Sequence, residues 1–463
     1  MEDELQLFGR VVQDVRIWER IRYPIALELL AKKEITGEVG PGSVTGIEAV
    51  RRGIDLGVRN ILFHNPWLAS PTDLLFVGEP RRKFHDGEWW DISCDPIHDA
   101  LDMEYVHLES TWNGKHFRPA RTERLRYIDL IRLSAEFGHR SGIVNVQLTS
   151  DEQQVVRDIE QHIRSEFDVD VDVAEHVSET LNTRTVAKRL FGLLLDRFRP
   201  ELVVLVSSTG KENFIEACHD RGVPVAELQH GLFTPYSYMH SFPGERTKIA
   251  YPDYLLTFGD FWADVAEFPL PDDRIISVGY PYLERAVDEA RGTTTKDQTV
   301  FISTIENGRE LSQLAVEFMQ HPDRSSDIVY KLHPNEYGVW RSLYPWLVET
   351  EIEVVEQNDS LYDLFAESRA QVGVASTALY EGLAFGLETY LARLPTVEWL
   401  TPLLESGDAT LVDSVDELVS AQRESGGTPV EYERYFKPDA IANVEQVLER
   451  LKADGTVARH HEL

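Results

Sequence analysis

The sequence predicts an α/β protein built from two doubly wound domains. Its 463 residues exceed what one hydrophobic core usually holds, and the hydrophobic share of 42% suits packed globular domains. Short apolar runs rich in β-branched residues alternate with helical stretches on both sides of a segment with proline and glycine, 241–250. We therefore predict an N-terminal domain over residues 1–245, a C-terminal domain over 246–440, and a terminal helix and tail over 441–463.

The first half begins with a predicted helix over residues 11–33, interrupted near Pro24. Residues 60–65 and 74–78 then predict strands. The clearest segment is 200–231, where a strand, a helix and a second strand follow one another. Its apolar runs are typical of strands that are buried on both faces of a parallel sheet.

Six further apolar runs follow residue 252 and predict the second doubly wound unit. They lie at 254–259, 275–281, 299–304, 327–334, 352–356 and 370–376. Helical stretches separate most of them, and residues 439–454 predict a closing amphipathic helix.

The charge balance limits the kinds of partner. The chain carries 79 acidic and 46 basic side chains, a net charge of −33, and only 11 of the basic residues are lysine. Few lysines beside many carboxylates are typical of halophile proteins, in which acidity serves solvation in concentrated salt, and we expect a haloarchaeal source. No basic stripe is present, so the sequence argues against a nucleic-acid partner.

Targeting and cysteine signals predict a cytoplasmic protein. The N-terminus is acidic where a signal peptide would be basic and then apolar, and no run of about 18 apolar residues occurs. Cys94 and Cys218 lie far apart without a CxxC motif, which indicates neither a disulfide framework nor a zinc module.

His230 is the first candidate functional residue, because it follows the second strand of 200–231 directly. Ligands of open α/β sheets bind at the carboxyl ends of parallel strands. An imidazole there can act as a general base near neutral pH, and Gly231 would let the backbone approach a substrate closely. The alternative is a structural histidine bonded to a backbone carbonyl.

Lys331 and His333 end another apolar strand and alternate along it, which places both side chains on one side. Pro334 stops strand pairing there. A lysine and a histidine that emerge together predict a phosphate site. The alternative is an edge strand with solvated polar side chains.

Ser376 and Thr377 follow a third apolar strand and begin a helix of small and apolar residues. Free N–H groups and the helix dipole make such a helix start an anion site. Glu381 lies four residues after Thr377 on the same helix face and could accept hydrogen bonds from a ribose diol. An ordinary capped helix would have the same pattern.

Weaker signals lie in the first half. Arg81 and Arg82 stand near two tryptophans at a strand exit and, with Lys211, are candidates for contacting an acceptor. The DxD spacings in 167–176 are typical of a metal site in some transferases, but a solvated acidic segment explains them better in so acidic a chain. We predict no metal ligands.

Four motifs in this order carry a resemblance: "LQHG", "GYPYLE", "KLHP" and "STALYEGLAFG". With them the chain resembles the GT-B nucleotide-sugar transferases of surface-polysaccharide assembly. It is most similar to the CDP-glycerol glycerophosphotransferase-like and capsule-polysaccharide group, with kinship in fold to the UDP-N-acetylglucosamine 2-epimerases. The resemblance covers about residues 200–400 and implies a GT-B fold, in which two Rossmann-like domains face a cleft.

The resemblance also implies roles for the residues named above. His230 corresponds to the catalytic histidine of the group, Lys331 and His333 to residues that meet the phosphates of the donor, and Ser376 and Thr377 to residues that hold its diphosphate. We expect a metal-independent transferase with a nucleotide-activated sugar or polyol as donor substrate and no further cofactor.

Several alternatives remain open. The glycerophosphotransferases usually carry a tryptophan before the histidine and an Asp-Tyr-Ser-Ser run where "GVASTALYE" stands, so glycosyl transfer and polyol-phosphate transfer both remain. A glycan or lipid-linked acceptor, with peripheral association at the inner face of a membrane, would fit the group. An epimerase or hydrolase of nucleotide sugars and a non-catalytic glycan-binding protein are the other hypotheses.

Overall fold

Two parallel sheets organise the chain in the computed structural model. The structure describes residues 1–33, 47–244, 246–356, 361–425 and 430–461. Its strands are β1 (Val11–Val12), β2 (Val15–Arg16), β3 (Leu74–Val77), β4 (Lys83–His85), β5 (Glu88–Trp90), β6 (Tyr105–Glu109), β7 (Leu125–Tyr127), β8 (Leu202–Val206), β9 (Val225–Leu228), β10 (Tyr254–Thr257), β11 (Ile275–Ser277), β12 (Gln298–Ile302), β13 (Asp327–Lys331), β14 (Glu353–Val355), β15 (Ala370–Gly373), β16 (Glu388–Ala392) and β17 (Thr410–Val412).

The helices cover both faces of the sheets. They are α1 (Ile17–Lys32), α2 (Ile47–Leu62), α3 (Asp95–Ala100), α4 (Asp129–Arg140), α5 (Ser150–Phe167), α6 (Val173–Phe198), α7 (Glu212–His219), α8 (Pro281–Glu289), α9 (Gly308–Gln320), α10 (Trp340–Leu343), α11 (Pro345–Val348), α12 (Leu361–Glu367), α13 (Thr377–Ala384), α14 (Thr401–Glu405), α15 (Val415–Glu424) and α16 (Ala440–His461).

The first sheet has seven strands in the order β11-β10-β9-β8-β3-β6-β7, all of them parallel. The second has six, in the order β14-β13-β12-β15-β16-β17, again all parallel. Each sheet separates two hydrophobic clusters, as expected for strands with apolar side chains on both faces. The predicted fold of two doubly wound, Rossmann-like domains is confirmed.

The position of the change between sheets corrects one prediction. We assigned β10 and β11 to the second unit, but β10 pairs in parallel with β9, and β11 pairs with β10. The chain therefore leaves the first sheet after Ser277 and enters the second at Gln298, later than the boundary predicted at 245/246. An apolar run indicates a buried strand without indicating the strand it pairs with.

The last helix returns to the first domain. Val444 and Leu448 of α16 are buried in the same cluster as Leu74 and Phe76 of β3. Apolar side chains on one stripe of α16 thus cover a face of the first sheet, and the predicted closing helix is confirmed.

Two local predictions need correction. Residues 60–65, predicted as a strand, begin with the last turn of α2, where Asn60 is buried and bonds to Leu56 O and Asp129 Oδ2. Helix α1 also continues through Pro24 without interruption. In the segment 167–176, Asp172 accepts a hydrogen bond from Glu175 N as the N-cap of α6, a structural use of one acidic side chain.

Among the residues that the structure describes, no helix has both the length and the apolar character needed to cross a membrane.

Candidate active site

Both sheets have a topological switch point, a pair of adjacent strands from which the chain connections lead in opposite directions along the sheet. In the first sheet it lies between β3 and β8, and in the second between β12 and β15. Crevices form outside the carboxyl ends of the strands at such points. The loops that follow these strands, and the neighbouring loops after β9 and β13, therefore build the candidate site.

The loop after β9 holds His230 in a fixed position. The side chain of Gln229 is buried, donates through Nε2 to Gly231 O at 2.9 Å and accepts through Oε1 from Phe258 N at 2.8 Å. Both ends of this amide are thus used to fix the backbone on either side of His230. The glutamine of the "QHG" motif positions the histidine and is itself enclosed.

The same loop meets the second domain at the start of α13. Leu232 N donates to Thr377 Oγ1 at 2.8 Å, and a Cβ added to Gly231 would stand 3.5 Å from that same oxygen. The first and fourth of the four motifs, "LQHG" and "STALYEGLAFG", are far apart along the chain, yet this contact places them next to each other across the domain interface.

Two buried groups stand behind His230. Glu227 and His240 are enclosed, and one ligand atom of each lies within 4.8 Å of a His230 ring nitrogen and of the other. His230 itself is exposed, but the protein around its ring reduces the hydration of the charged form. This desolvation, and secondly the nearby His240, lowers the pKa of His230 to about 4, while Glu227 opposes the change. The imidazole is therefore neutral at pH 7.

The start of α13 has the geometry of an anion site. Ser376 is its N-cap and accepts from Ala378 N at 3.3 Å, as the sequence predicted for a capping residue. Ala375, one residue earlier, has a φ of 37°, in the left-handed region that residues with a Cβ rarely adopt. A sharp turn therefore carries the chain from β15 into α13 and points the helix start at the loop of Gly231.

Lys331 is the last residue of β13 and lies at the predicted carboxyl end. Its ammonium group contacts the carbonyl oxygen of Glu356 and donates to Tyr337 Oη at 3.3 Å. A phosphate contact from Lys331 would require the side chain to turn away from Glu356.

His333 lies two residues after Lys331, at the start of a 3-10 turn (Pro334–Glu336), and is near Arg81 of the other domain. Its Nδ1 accepts from Asn335 N at 3.2 Å, so the proton of the neutral ring lies on Nε2. Burial, and secondly the charge of Arg81, lowers the pKa of His333 to about 4. A neutral His333 can donate one hydrogen bond to a phosphate but adds no charge, and Arg81 is the cation opposite it.

Glu381 faces the hairpin of β4 and β5 in the other domain. Burial raises its pKa, which the Lys83 ammonium and a hydrogen bond from Tyr362 oppose. Lys83 Nζ also lies 5.4 Å from the ring centre of Tyr362 and 5.5 Å from that of Tyr282. These contacts occupy Glu381 within the domain interface, and its predicted contact with a ribose stays a prediction.

A cavity of about 260 Å³ lies beside this hairpin, against helices α8 and α12. Aromatic and charged side chains line it, among them His85, Trp90, Tyr282, Arg285 and Tyr362. Neither His230 nor Lys331 lines it, so the cavity is separate from the strand ends, where these side chains and the start of α13 lie.

The two remaining candidates for acceptor contacts differ. Lys211 donates to Val206 O at 2.8 Å and Ser207 O at 2.7 Å, and thereby closes the loop after β8 while half-exposed. The prediction for Arg82 is wrong, because its side chain is fully enclosed and paired with Glu109 at 2.5 Å. A run of basic residues after a strand suggests side chains in solvent. Here Arg81 and Lys83 are exposed, whereas the Arg82 between them is buried.

Sequence reasoning missed residues at both switch points. Thr304 follows β12, and its buried Oγ1 has no hydrogen-bond partner among the described residues. Glu79 follows β3, and its carboxylate stands 3.5 Å from Lys211 Nζ. The signal for Thr304 was its hydroxyl directly after an apolar strand, the same pattern that indicated Ser376.

Two groups of side chains have metal-ligating atoms within 4.8 Å of one another among the described residues. One is Glu227, His230 and His240 on the cleft floor, and the other is the enclosed set Asp91, Cys94 and His107. The sequence predicted neither.

No family model and no curated protein matches the chain. Among solved structures, the UDP-GlcNAc 2-epimerase of Methanocaldococcus jannaschii in complex with UDP-GlcNAc and UDP is similar over 82% of this chain and 99% of its own, with 12% identity and a TM-score of 0.48. A putative UDP-N-acetylglucosamine 2-epimerase from Listeria monocytogenes is similar over 83% of this chain and 97% of its own, with 12% identity and a TM-score of 0.48. The wall teichoic acid polymerase TagF is similar over 89% of this chain and 99% of its own, with 11% identity and a TM-score of 0.44. Values this low decide nothing about activity, which has to be argued from the site.

Proposed function

We propose that the chain is a nucleotide-sugar-dependent glycosyltransferase, or a polyol-phosphate transferase, of surface-polysaccharide, N-glycan or glycolipid assembly. The donor would lie against the second sheet and the acceptor, a glycan or a lipid-linked glycan, would approach from the first. The observation that carries the proposal is the 2.8 Å hydrogen bond from Leu232 N to Thr377 Oγ1, which brings the loop of His230 to the start of α13.

The phosphates of the donor would bind at the start of α13, whose free N–H groups and dipole favour an anion. Ser376 and Thr377 would add hydroxyl donors, His333 would donate from Nε2, and Lys331 would turn towards the phosphate. These groups can stabilise the negative charge that develops on the leaving nucleotide without a metal ion at the phosphates.

His230 would act as the general base. Its neutral ring nitrogen takes the proton of the acceptor hydroxyl while that oxygen bonds to the anomeric carbon and the bond from this carbon to the donor phosphate breaks. In polyol-phosphate transfer the same oxygen would attack phosphorus, and a nucleoside monophosphate would leave. Closure of the cleft would keep water from the donor.

The test is transfer from a panel of nucleotide sugars and CDP-glycerol to glycan acceptors, at high salt. His230→Ala is expected to lower kcat by about 10²–10⁴-fold, the usual contribution of a general base, while the donor still raises Tm. His321→Ala, at the far end of α9, is the matched control and should leave kcat unchanged. Full transfer by His230→Ala would refute the role of His230.

The pH dependence provides a second test. A base with a pKa of about 4 is active in its neutral form, so kcat/KM should hold from pH 7 down to about 5 and fall as pH drops through about 4. An acid limb near 6.5, the ordinary value for histidine, would contradict the desolvated position of His230.

The assay without acceptor separates the other hypotheses. Turnover of a UDP-sugar alone, at the rate seen with acceptor, would favour an epimerase or hydrolase. Binding of glycan without any turnover, unchanged in His230→Ala, would favour a non-catalytic member.

A further inference from the structure

We propose that Asp91, Cys94 and His107 form a buried structural site for a divalent cation of the zinc type in the N-terminal domain. The three side chains come from the loop after β5 and from the middle of β6, and one ligand atom of each lies within 4.8 Å of the other two. All three residues are at most 1% exposed. The inference is independent of the cleft and of the proposed reaction.

His107 is the observation that points to a ligand. Neither of its ring nitrogens has a hydrogen-bond partner among the described residues, although the ring is fully enclosed. Buried polar groups are almost always partnered, and a neutral imidazole has one donor and one acceptor to satisfy. The carboxylate oxygen beside it, Asp91 Oδ2, is 3.7 Å from Nε2, which is too long for a hydrogen bond.

That separation suits a shared metal ion. Zinc bonds of about 2.0–2.3 Å in a tetrahedron place neighbouring ligand atoms about 3.5 Å apart. The backbone at Gly78 leaves this space open, because a Cβ there would come within 2.1 Å of Asp91 Oδ2 and 2.4 Å of His107 Nε2.

The surrounding charge also favours a cation. The carboxylates of Asp91 and Asp95 lie beside the enclosed guanidinium of Arg82, whose short ion pair is with Glu109, and Glu109 also pairs with His116 and Arg118. The basic side chain within 4.0 Å of the Asp91 carboxylate is His107, at 3.7 Å. A divalent ion between these two side chains would supply positive charge to Asp91.

The ligand chemistry selects the metal. A thiolate with an imidazole and a carboxylate is a donor set that zinc binds, whereas magnesium and calcium prefer oxygen ligands. Cys94 would lose its thiol proton to solvent as the sulfur–metal bond forms. His98 lies beside this group, with its ring centre 5.3 Å from that of His107, but it is not one of the side chains whose ligand atoms lie within 4.8 Å of one another.

The experiment measures metal content in the full chain, produced in zinc-supplemented medium and purified without a metal-affinity step. We expect about one equivalent of zinc per chain in the unmodified protein, because an enclosed site takes up its ion as the domain folds. Cys94→Ser should lose the ion, and Cys218→Ser should keep it. Cys218 is the matched control, a buried free cysteine outside both metal-ligating groups.

Cobalt substitution covers the case in which Cys94→Ser does not fold. Cobalt bound to the unmodified protein should show a thiolate-to-cobalt charge-transfer band that persists in Cys218→Ser. A folded protein without metal, or a metal that survives both Cys94→Ser and His107→Gln, would overturn the proposal. Loss of the metal in His240→Gln alone would also overturn it, since the ion would then belong to the cleft group.

Discussion

The N-terminal domain and the C-terminal domain, which we call the N-terminal and C-terminal walls, fix the side chains of the candidate site by different means. In the N-terminal wall, ion pairs closed off from water fix the loops after β3 and β6, with Arg82 on Glu109 and His116 bridging Glu109 and Asp129 at 2.6 and 2.9 Å. The C-terminal wall relies on the backbone start of α13 and on the side chain of Lys331, which rests on Glu356. Damage to the first wall should therefore appear as lost stability, and damage to the second mainly as lost binding.

The largest expected effect is that of Arg82→Met. Removing one partner of a buried charge network leaves carboxylates unpaired and should lower the free energy of unfolding by about 3–5 kcal/mol. Urea denaturation followed by circular dichroism measures the change. Arg81→Met, at the exposed neighbouring position, should stay within about 0.5 kcal/mol, and equal effects would mean that the network does not hold this wall.

The second expected effect is a pH dependence of stability in the N-terminal wall. Burial, and secondly Lys248, lowers the pKa of His240 to about 3, against about 6.5 in an unfolded chain. As pH falls below about 6.5, this histidine is protonated in the unfolded state but stays neutral in the folded state. The free energy of unfolding should therefore fall by up to about 1.4 kcal/mol per pH unit until about pH 3.

The histidine of the other wall provides the comparison for this effect. Denaturation between pH 7 and 4.5 should be clearly less pH-dependent in His240→Phe than in the unmodified protein. His333→Gln should change the slope in this range by nearly as much, and the two variants should separate only below about pH 4, where folded His333 takes up a proton and folded His240 does not. A larger change from His333→Gln would reverse the assignment of the acid-sensitive wall.

A smaller effect is expected where the walls touch. Thr377→Val removes the acceptor of Leu232 N and should lower the free energy of unfolding by about 1 kcal/mol. Thr377→Ser restores the hydroxyl and should restore most of it. Thermal unfolding of the three proteins checks this, and a Thr377→Ser protein as unstable as Thr377→Val would show that the methyl group matters instead.

The smallest expected effect belongs to Lys83, which reaches from the β4–β5 hairpin to Tyr282 and Tyr362. Lys83→Met keeps the apolar stem and should change the free energy of unfolding by less than about 1 kcal/mol. A loss comparable with that of Arg82→Met would show that the walls are joined by charge rather than by the loop of Leu232.

The sequence predicted most of the strand ends but not their pairing. Apolar, β-branched runs indicated β8, β9, β12, β13 and β15, because strands buried on both faces leave little room for polar side chains. The same signal could not show that β10 joins β9, since pairing depends on the connection that precedes a strand and not on its composition. The sheet of β10 therefore required the structure.

For the candidate site, the local sequence pattern predicted which side chains follow the carboxyl ends of strands. It did not predict which residues these side chains contact. His230 and Ser376 were placed by the strands before them. The burial of Arg82 and the contact of Lys331 with Glu356 depend on neighbouring strands, β6 and β14, that are distant in sequence. No local pattern distinguishes a solvated arginine from one that is enclosed by carboxylates of other segments.

Because α16 packs against the first sheet, the described part of the chain passes between the two domains twice, once before β12 and once before α16. Two bodies that are joined at two points rotate most easily about the line through these points. Relative motion of the domains should follow that single axis, and a fluorophore attached to α16 would move with the N-terminal domain although α16 follows the C-terminal domain in sequence.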